Sequence, residues 1–227
     1  MNRIEPKYYA TSLKVLSIGE FLRLSPGPIS GFVSWIIGRF LPPQGKELMP
    51  TDYDKIESTL EDMSEMLSEK LVFASSCFEE NEFAPIGWQR LPSDQQEIID
   101  SGSVICLSSC GHFVGVFSTV IRESEDTPDG YIYTEASSIS CYYPDETYIC
   151  VADTNIQLDP IPSETSICLK GESVYSLKER IEKELSKRPE AIKLSNWNEV
   201  RKVMELHDTK AFLYRKDQRK LFVEIDK

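Results

Sequence analysis

The chain has 227 residues, of which 41% are hydrophobic and 27% are charged, a composition typical of a globular protein and not of a disordered chain. It holds no apolar run of about 18 residues or more, which excludes an ordinary membrane-spanning helix. Its first residues lack the apolar core of a signal peptide. We therefore expect a cytoplasmic protein whose six cysteines are reduced and mostly buried.

The formal charge of −12 is unevenly distributed along the chain. Residues 1–46 hold six Lys or Arg against two Glu, a net charge of +4, so residues 47–227 carry −16. The acidic remainder disfavours nucleic-acid binding, which requires positive charge to neutralise phosphates. The sequence therefore predicts two parts, a basic and apolar N-terminal arm over residues 1–46 and a single acidic domain over residues 47–227.

The arm begins with a predicted short helix in "SIGEFLRLSP". Ser17 and Glu20 have the spacing of a capping box, and Pro26 follows the end of the helix. The next stretch, "GPISGFVSWIIGRFLPP", covers residues 27–43 and is the most apolar in the chain. Pro28 suits the first turn of a helix and Pro42 suits the position after its end. At about 20 Å, such a helix is too short to cross a bilayer.

Two faces of this predicted helix differ in side-chain size. Ser30, Ser34 and Gly38 fall on a narrow face whose spacing permits close approach of another helix. The broad face is apolar, and it either packs on the protein's own core or attaches the protein to a membrane or partner. For attachment, basic neighbours add attraction to an anionic leaflet. The predicted binding residues are Arg23, Ile29, Phe32, Val33, Trp35, Ile36, Ile37, Arg39, Phe40 and Lys46.

The remainder predicts an α+β domain with an antiparallel sheet of about five strands flanked by three helices. A linker in "LPPQGKELMPTDY" leads to an acidic helix over residues 51–71, and a short helix is predicted in "RLPSDQQEIIDSGS". The tail is either a hairpin or a further helix. The five strands are expected in "SVICLSS", "HFVGVFSTVIRE", "GYIYTEASSISCYY", "TYICVADT" and "TSICLK", and the two C-terminal helices in "GESVYSLKERIEKELSKRP" and "SNWNEVRKVMEL".

Residues 50–187 resemble a group of uncharacterised bacterial proteins. In these, an acidic helix precedes a strand pair of the kind T-x-F-x-D-G-x-x-x-x-T, and a further helix follows. The corresponding stretches here are "SSISCYYPDETYICVADT" and "GESVYSLKERIEKEL", with Asp145 and Glu146 in place of Asp-Gly. Many members carry an apolar segment before the acidic helix, as this chain does. The resemblance brings no known activity.

The cysteine and histidine residues are the candidates for an alternative function, that of an enzyme. Cys106, Cys110 and His112 are the best metal candidates, but paired C-x2-C knuckles are missing, so we expect no metal site. Cys77 or Cys106 with His112 is the candidate nucleophile and base, a pair that requires a thiolate in contact with the imidazole.

We interpret the chain as a non-enzymatic binding protein without a cofactor or catalytic residue. Its arm is expected to dock on an anionic membrane surface, at the inner face of the membrane, or on a hydrophobic protein partner. One alternative is a soluble immunity or accessory protein that binds a basic partner through the acidic helix 51–71. The other is a cysteine- or metal-dependent enzyme that uses Cys77 or Cys106 with His112. The sequence leaves the oligomeric state open.

Overall fold

The computed structural model describes residues 5–91, 98–154 and 158–225. Within these ranges the chain forms six α-helices, numbered in chain order. Three short turns of other helix types also occur, two of them 3-10 and one of them π-helical. The helices are α1 (Ile18–Leu24), α2 (Pro28–Gly38), α3 (Tyr53–Ile56), α4 (Glu65–Glu79), α5 (Val174–Lys187) and α6 (Trp197–Leu213).

The described residues also form ten β-strands in two sheets. One sheet has three strands and the other has seven. The strands are β1 (Lys7–Thr11), β2 (Gln44–Met49), β3 (Glu57–Ser58), β4 (Phe83–Arg90), β5 (Ile98–Ser108), β6 (Val114–Glu123), β7 (Tyr131–Tyr142), β8 (Tyr148–Ala152), β9 (Glu164–Cys168) and β10 (Phe222–Glu224).

The chain divides into two compact units with very different charge. Unit 1 comprises Met1–Asp52, Ile156–Ile161 and Met204–Lys227, and unit 2 comprises Tyr53–Asn155 and Pro162–Val203. Unit 1 contains twelve Lys and Arg against ten Asp and Glu, whereas unit 2 contains thirteen against twenty-seven. The acidity of the protein therefore belongs almost entirely to unit 2. The predicted boundary at residue 46 stays a prediction.

Unit 1 is built on a three-stranded antiparallel sheet in the order β10-β1-β2. Its small core contains Leu16, Phe21 and Leu221, all buried, with Trp35 packed against them. Residues from both ends of the chain thus complete one core, and burial of these side chains holds the N-terminal helices to the C-terminal segment.

Unit 2 contains the seven-stranded sheet in the order β3 to β9. All neighbouring strands are antiparallel except β8 and β9, which are parallel. Helix α4 packs on one sheet face through Leu67, Leu71 and Phe78, and α5 packs through Leu177 and Ile181; all five side chains are fully buried. Gly115 allows the close approach of Phe78, since an added Cβ would lie 2.3 Å from the ring.

The α+β class is confirmed, and the counts of elements differ from the prediction. The five predicted strands correspond to β5, β6, β7, β8 and β9. The sheet continues beyond them through β4 and β3, and a second sheet lies in unit 1. The predicted linker contains strand β2, while the tail combines the end of α6, a π-helical turn and β10. The parallel β8–β9 pair also departs from the predicted antiparallel order.

The predicted helix over residues 51–71 is wrong as one element. The stretch forms α3, the two-residue strand β3 and a 3-10 turn before α4 begins at Glu65. Thr59 and Asp62 form a capping box at the 3-10 turn, and the hydroxyl of Ser64 accepts from the Leu67 backbone N–H at the start of α4. These polar side chains compete with helix continuation by satisfying backbone groups locally.

The short helix predicted in "RLPSDQQEIIDSGS" falls partly outside the described residues, at 92–97. Its second half is not helical, because Ile98 and the residues after it belong to β5. The carboxylate of Asp100 there accepts hydrogen bonds from the Ser64 backbone N–H and from Arg90. Pairing of this strand with β4 and β6 satisfies its backbone on both sides.

Candidate docking surface

Helices α1 and α2 form a hairpin whose ends are set by local chemistry. Ser17 and Glu20 cap α1 reciprocally, as the sequence predicted. The turn Ser25–Gly27 separates the helices, and Pro28 occupies the first turn of α2. Pro26 and Pro28 have no backbone N–H. The Ser30 hydroxyl donates to the Gly27 carbonyl at 2.8 Å. The prolines thus remove two backbone donors from the turn and the start of α2.

Helix α2 packs against α1 through its glycines. Gly31 and Gly38 are its buried residues. An added Cβ at Gly31 would lie 3.0 Å from Leu22 Cα, and one at Gly38 would lie 2.6 Å from Phe21 Cζ. Of the small residues that the sequence placed on the narrow face, Gly38 is in this contact, whereas Gly31 was missed. At both positions an added methyl group would require Leu22 or Phe21 to shift, so the glycines favour this rotation of α2 about its axis.

Except for Trp35, which packs on the core, the large apolar side chains of α2 and that of Phe40, just after its end, point away from this contact. At 3.6 residues per turn they cover about 140° of the helix, opposite the glycines. Ile29 and Phe40 are each 81% exposed, and the other four are between 42% and 50% exposed. We call this surface the apolar face; it consists of Ile29, Phe32, Val33, Ile36, Ile37 and Phe40.

The exposed apolar residues of the protein are concentrated in this hairpin. Sixteen large hydrophobic residues are exposed among the described residues, and ten of them lie between Ile18 and Leu41. Helix α1 contributes Ile18, Leu22 and Leu24 to that group. Isolated exposed apolar residues are ordinary on protein surfaces. A concentration in one hairpin is instead typical of an interaction site.

The predicted basic residues differ in what they contact. Arg23 is in a salt bridge with Asp159. Arg39 stacks on Trp35, with 4.9 Å between its guanidinium carbon and the ring centroid, and it also donates to the Lys14 carbonyl. Lys46 lies 4.5 Å from the ring centroid of Tyr8, beside β1. The structure therefore brings Arg39 and Trp35 together at the C-terminal end of the apolar face.

The carboxylate of Glu20, in α1, is fully buried and neutralised. Arg219 donates to its two oxygens at 2.6 and 2.7 Å, and the backbone N–H groups of Asp159 and Ser17 donate at 2.9 and 2.7 Å. Burial raises the pKa of Glu20, but these hydrogen bonds outweigh burial and lower the pKa from 4.5 to about 2. The carboxylate joins three chain segments of unit 1, a role that sequence reasoning did not find.

The candidate nucleophiles are poorly placed for thiolate chemistry. Cys106 is fully buried within β5, and burial raises the pKa of its thiol to about 12. Cys77 is partly buried on α4. The Nδ1 atom of His112 lies 3.3 Å from the Ile192 carbonyl oxygen. A thiol held in its neutral form by burial is a weak nucleophile, so Cys106 does not fit the role of an activated cysteine.

The metal candidates do not assemble into a ligand set. Within residues 5–91, 98–154 and 158–225, no group of three or more His, Cys, Asp or Glu side chains is arranged to hold a metal ion. Cys110 is exposed in the turn after β5, with its sulfur 3.2 Å from the Ser108 hydroxyl. Cys106 lies inside that strand, away from solvent.

The acidic stretch 51–71 also lacks a single binding face, since it is not one helix. Part of its charge is already neutralised by α6, where Arg201 forms salt bridges with Asp54 and with Glu57. The pairing with Glu57 measures 3.2 Å. Binding of a basic partner through this stretch stays a prediction, now without the continuous helix on which it depended.

A cavity of about 490 Å³ in unit 2 was not foreseen from the sequence. It is bordered by Lys55, Asp62, Arg90, Leu91 and Asp100. Arg90 donates to Asp100 at 3.0 Å and to the Asp62 carbonyl at 2.9 Å.

No described helix is both long enough and apolar enough to cross a membrane. Helix α2 has 11 residues, and at 1.5 Å per residue it is about 16 Å long. The basis for assigning a function is therefore the geometry of the α1–α2 hairpin. In comparisons with known proteins, no family model, no curated protein and no solved structure matches this chain.

Proposed function

We propose that this chain is a binding protein that attaches to an apolar target, a membrane face or a hydrophobic protein partner, through the apolar face of α2. The observation behind this proposal is the orientation of the helix. Its glycines face α1 and Trp35 packs on the core, whereas the six large hydrophobic side chains of the apolar face are exposed. A helix that only completed a core would turn the larger side chains inward.

The size of the apolar face supports the proposal of attachment. Its six exposed fractions correspond to about three and a half fully exposed side chains. Complete burial of one such side chain contributes about 1.5 to 3 kcal/mol, so covering the face gains roughly 5 to 10 kcal/mol before the costs of association. Those costs are of comparable size, about 4 to 15 kcal/mol for two proteins. Charged groups beside the face therefore decide how firmly the protein attaches.

The test compares two variants that exchange exposed hydrophobic residues for Asp. Ile29→Asp/Phe40→Asp changes the two most exposed positions of the apolar face, and Phe73→Asp changes an exposed position on α4 as a matched control. In cells that make the protein, we expect the double variant to move from the bound pool to the free pool while the control stays with the native chain. An unchanged distribution of the double variant, with its melting temperature also unchanged, would contradict the proposal.

A further inference from the structure

We propose that the target of the apolar face is the surface of an anionic lipid bilayer, into which the tip of the α1–α2 hairpin inserts. This inference rests on the proposed docking function and specifies its occupant. The tip is the part of the hairpin around the turn Ser25–Gly27. Three features of the hairpin support a lipid target: the absence of charge at the tip, the prolines in its backbone, and the sign of the charges at its base.

The tip is free of charge over a long stretch. No ionisable side chain occurs between Arg23 and Arg39. Leu24 and Ile29, on the two sides of the turn, are both exposed. The apolar surface thus surrounds the end of the hairpin and is not confined to the side of one helix. A rounded apolar tip fits a fluid apolar medium, whereas a groove on a protein accepts one helix face.

The prolines reduce the number of backbone donors at the tip. Unsatisfied N–H groups are costly in a hydrocarbon environment. Two of the four residues from Ser25 to Pro28 are prolines and have no N–H to satisfy. The Gly27 carbonyl accepts from the Gly31 N–H at 2.9 Å and from the Ser30 hydroxyl at 2.8 Å. Pro28 thus removes one of the four N–H donors that the start of a helix leaves unpaired, while those of Ile29 and Ser30 receive no side-chain cap from Gly27.

The solvent-exposed charges at the base of the hairpin, its end away from the turn, are positive. Lys14 is exposed, and Arg39 is exposed beside Trp35. The acidic side chain of this region, Glu20, is buried against Arg219. The partly exposed Asp159 is paired with Arg23. Cations next to an indole, at the border of an apolar face, match the headgroup level of an anionic leaflet.

The length of α2 sets the depth of insertion. At about 16 Å the helix is roughly half the thickness of a hydrocarbon core. The hairpin therefore lies within one leaflet and does not span the bilayer. Trp35 packs beside Phe32, with 6.1 Å between ring centroids, and against the small core of unit 1. It marks the border between the core and the apolar face, a position expected close to the headgroups when the hairpin is inserted.

The test measures partitioning of the full chain onto vesicles of neutral phosphatidylcholine and onto vesicles that also contain phosphatidylglycerol. Salt screens both the attraction of the hairpin and the repulsion of the acidic unit 2, so charge variants at fixed ionic strength are more informative than a salt series. We expect tighter binding to the anionic vesicles. Lys14→Gln and Arg39→Gln should each weaken this binding by about fivefold, whereas Arg39→Lys and Lys170→Gln, a change in unit 2, should leave it unchanged.

Variants of the apolar face provide the second part of the test. Ile29→Asp/Phe40→Asp should weaken partitioning by at least about fiftyfold, and Phe73→Asp should not change it. Lipids brominated near the headgroup should quench tryptophan fluorescence on binding. That quenching should be lost in Trp35→Phe, because the other two tryptophans, Trp88 and Trp197, lie in unit 2.

The outcomes separate this inference from the docking function. If the full chain binds neither vesicle, but Ile29→Asp/Phe40→Asp still releases it in cells, the lipid inference is wrong and the target is a protein. If the same variant instead dissociates a dimer of the purified chain, the target is a second copy and the lipid inference is again wrong. If neither vesicle binding nor attachment in cells depends on Ile29 and Phe40, both proposals fail.

Discussion

Replacing the glycines of α2 tests the packing that turns its apolar face outward. We consider Gly31→Ala/Gly38→Ala, with Gly19→Ala in α1 as the matched control. On helix propensity alone, each Gly→Ala change stabilises a helix by about 0.5 to 1 kcal/mol. Propensity therefore predicts that all three changes raise the stability of unit 1.

The structure predicts that Gly19→Ala raises the free energy of unfolding and that Gly31→Ala/Gly38→Ala lowers it. At Gly19 an added Cβ would have no neighbour closer than 3.6 Å, so the gain from propensity should be realised. At Gly31 the new methyl group would meet backbone atoms of α1, Leu22 Cα at 3.0 Å and Phe21 O at 3.1 Å. At Gly38 it would meet the buried ring of Phe21 at 2.6 Å. Overpacking of this kind costs about 1 to 3 kcal/mol per site.

The expected result is a net loss of about 2 kcal/mol for the double variant and a gain of up to about 1 kcal/mol for Gly19→Ala. Chemical denaturation, followed by circular dichroism, measures both free energies of unfolding. Because the chain has two units, the transition of unit 1 is to be fitted separately if two transitions appear. A double variant as stable as the native protein would refute the close glycine contact and the orientation of α2 derived from it.

Two further predictions concern buried ionisable groups. Because the folded-state pKa of Glu20 is lowered to about 2, its stabilisation is complete above about pH 4.5 and is lost as the pH falls through 2. Glu20→Gln should therefore lower the free energy of unfolding by about 3 kcal/mol at pH 7. This difference from the native protein should shrink as the pH is lowered in a series of denaturation experiments, and a difference independent of pH would contradict the prediction. For the thiols, brief treatment with iodoacetamide at pH 8 followed by mass spectrometry should label the exposed Cys110 and leave Cys106 unlabelled until the chain unfolds; equal labelling of the two would contradict the burial of Cys106.

The alternation of β-branched and polar residues predicted the centre of the large sheet well. It failed at β4, where Pro85 and Gly87 interrupt the pattern and the strand register shifts between them. Tertiary pairing with β5 overrides that weak local signal. Strands β1 and β10 were missed for a different reason. Each is at most five residues long, and they come from opposite ends of the chain, so no local pattern predicts their pairing.

The acidic stretch 51–71 shows the limit of periodicity. Its apolar residues recur at helical spacing, and several of them, such as Met63 and Leu67, are indeed buried. The same stretch contains Thr59 and Ser64, which cap new elements. Spacing predicted which side chains enter the core, while the caps decided where the helices begin. A capping residue inside a periodic run should therefore be weighed against the run itself.

The candidate site was found from the sequence as a list of residues, whereas its orientation was not. An amphipathic pattern identifies two faces of a helix but does not state which face meets the protein. The usual assumption buries the larger side chains. On the apolar face of α2 that assumption is reversed. Phe21 and Leu22 of α1 lie against the glycine positions and occupy the space that larger side chains of α2 would fill. The deciding information lies in the neighbouring helix, and the periodicity of α2 cannot contain it.

This reversal connects the fold to the proposed function. Close packing through Gly31 and Gly38 removes little apolar area from water, so further interactions are needed to hold the hairpin in unit 1. The buried Glu20 supplies them through charge-assisted hydrogen bonds from Arg219 and through backbone hydrogen bonds from the segment at Asp159. Polar bonds and the burial of Phe21 hold α1 in unit 1, while the glycine contacts and Trp35 hold α2 in place. Since the side chains of the apolar face stay between 42% and 81% exposed in this arrangement, they are available to bind an apolar target without unfolding any part of the unit.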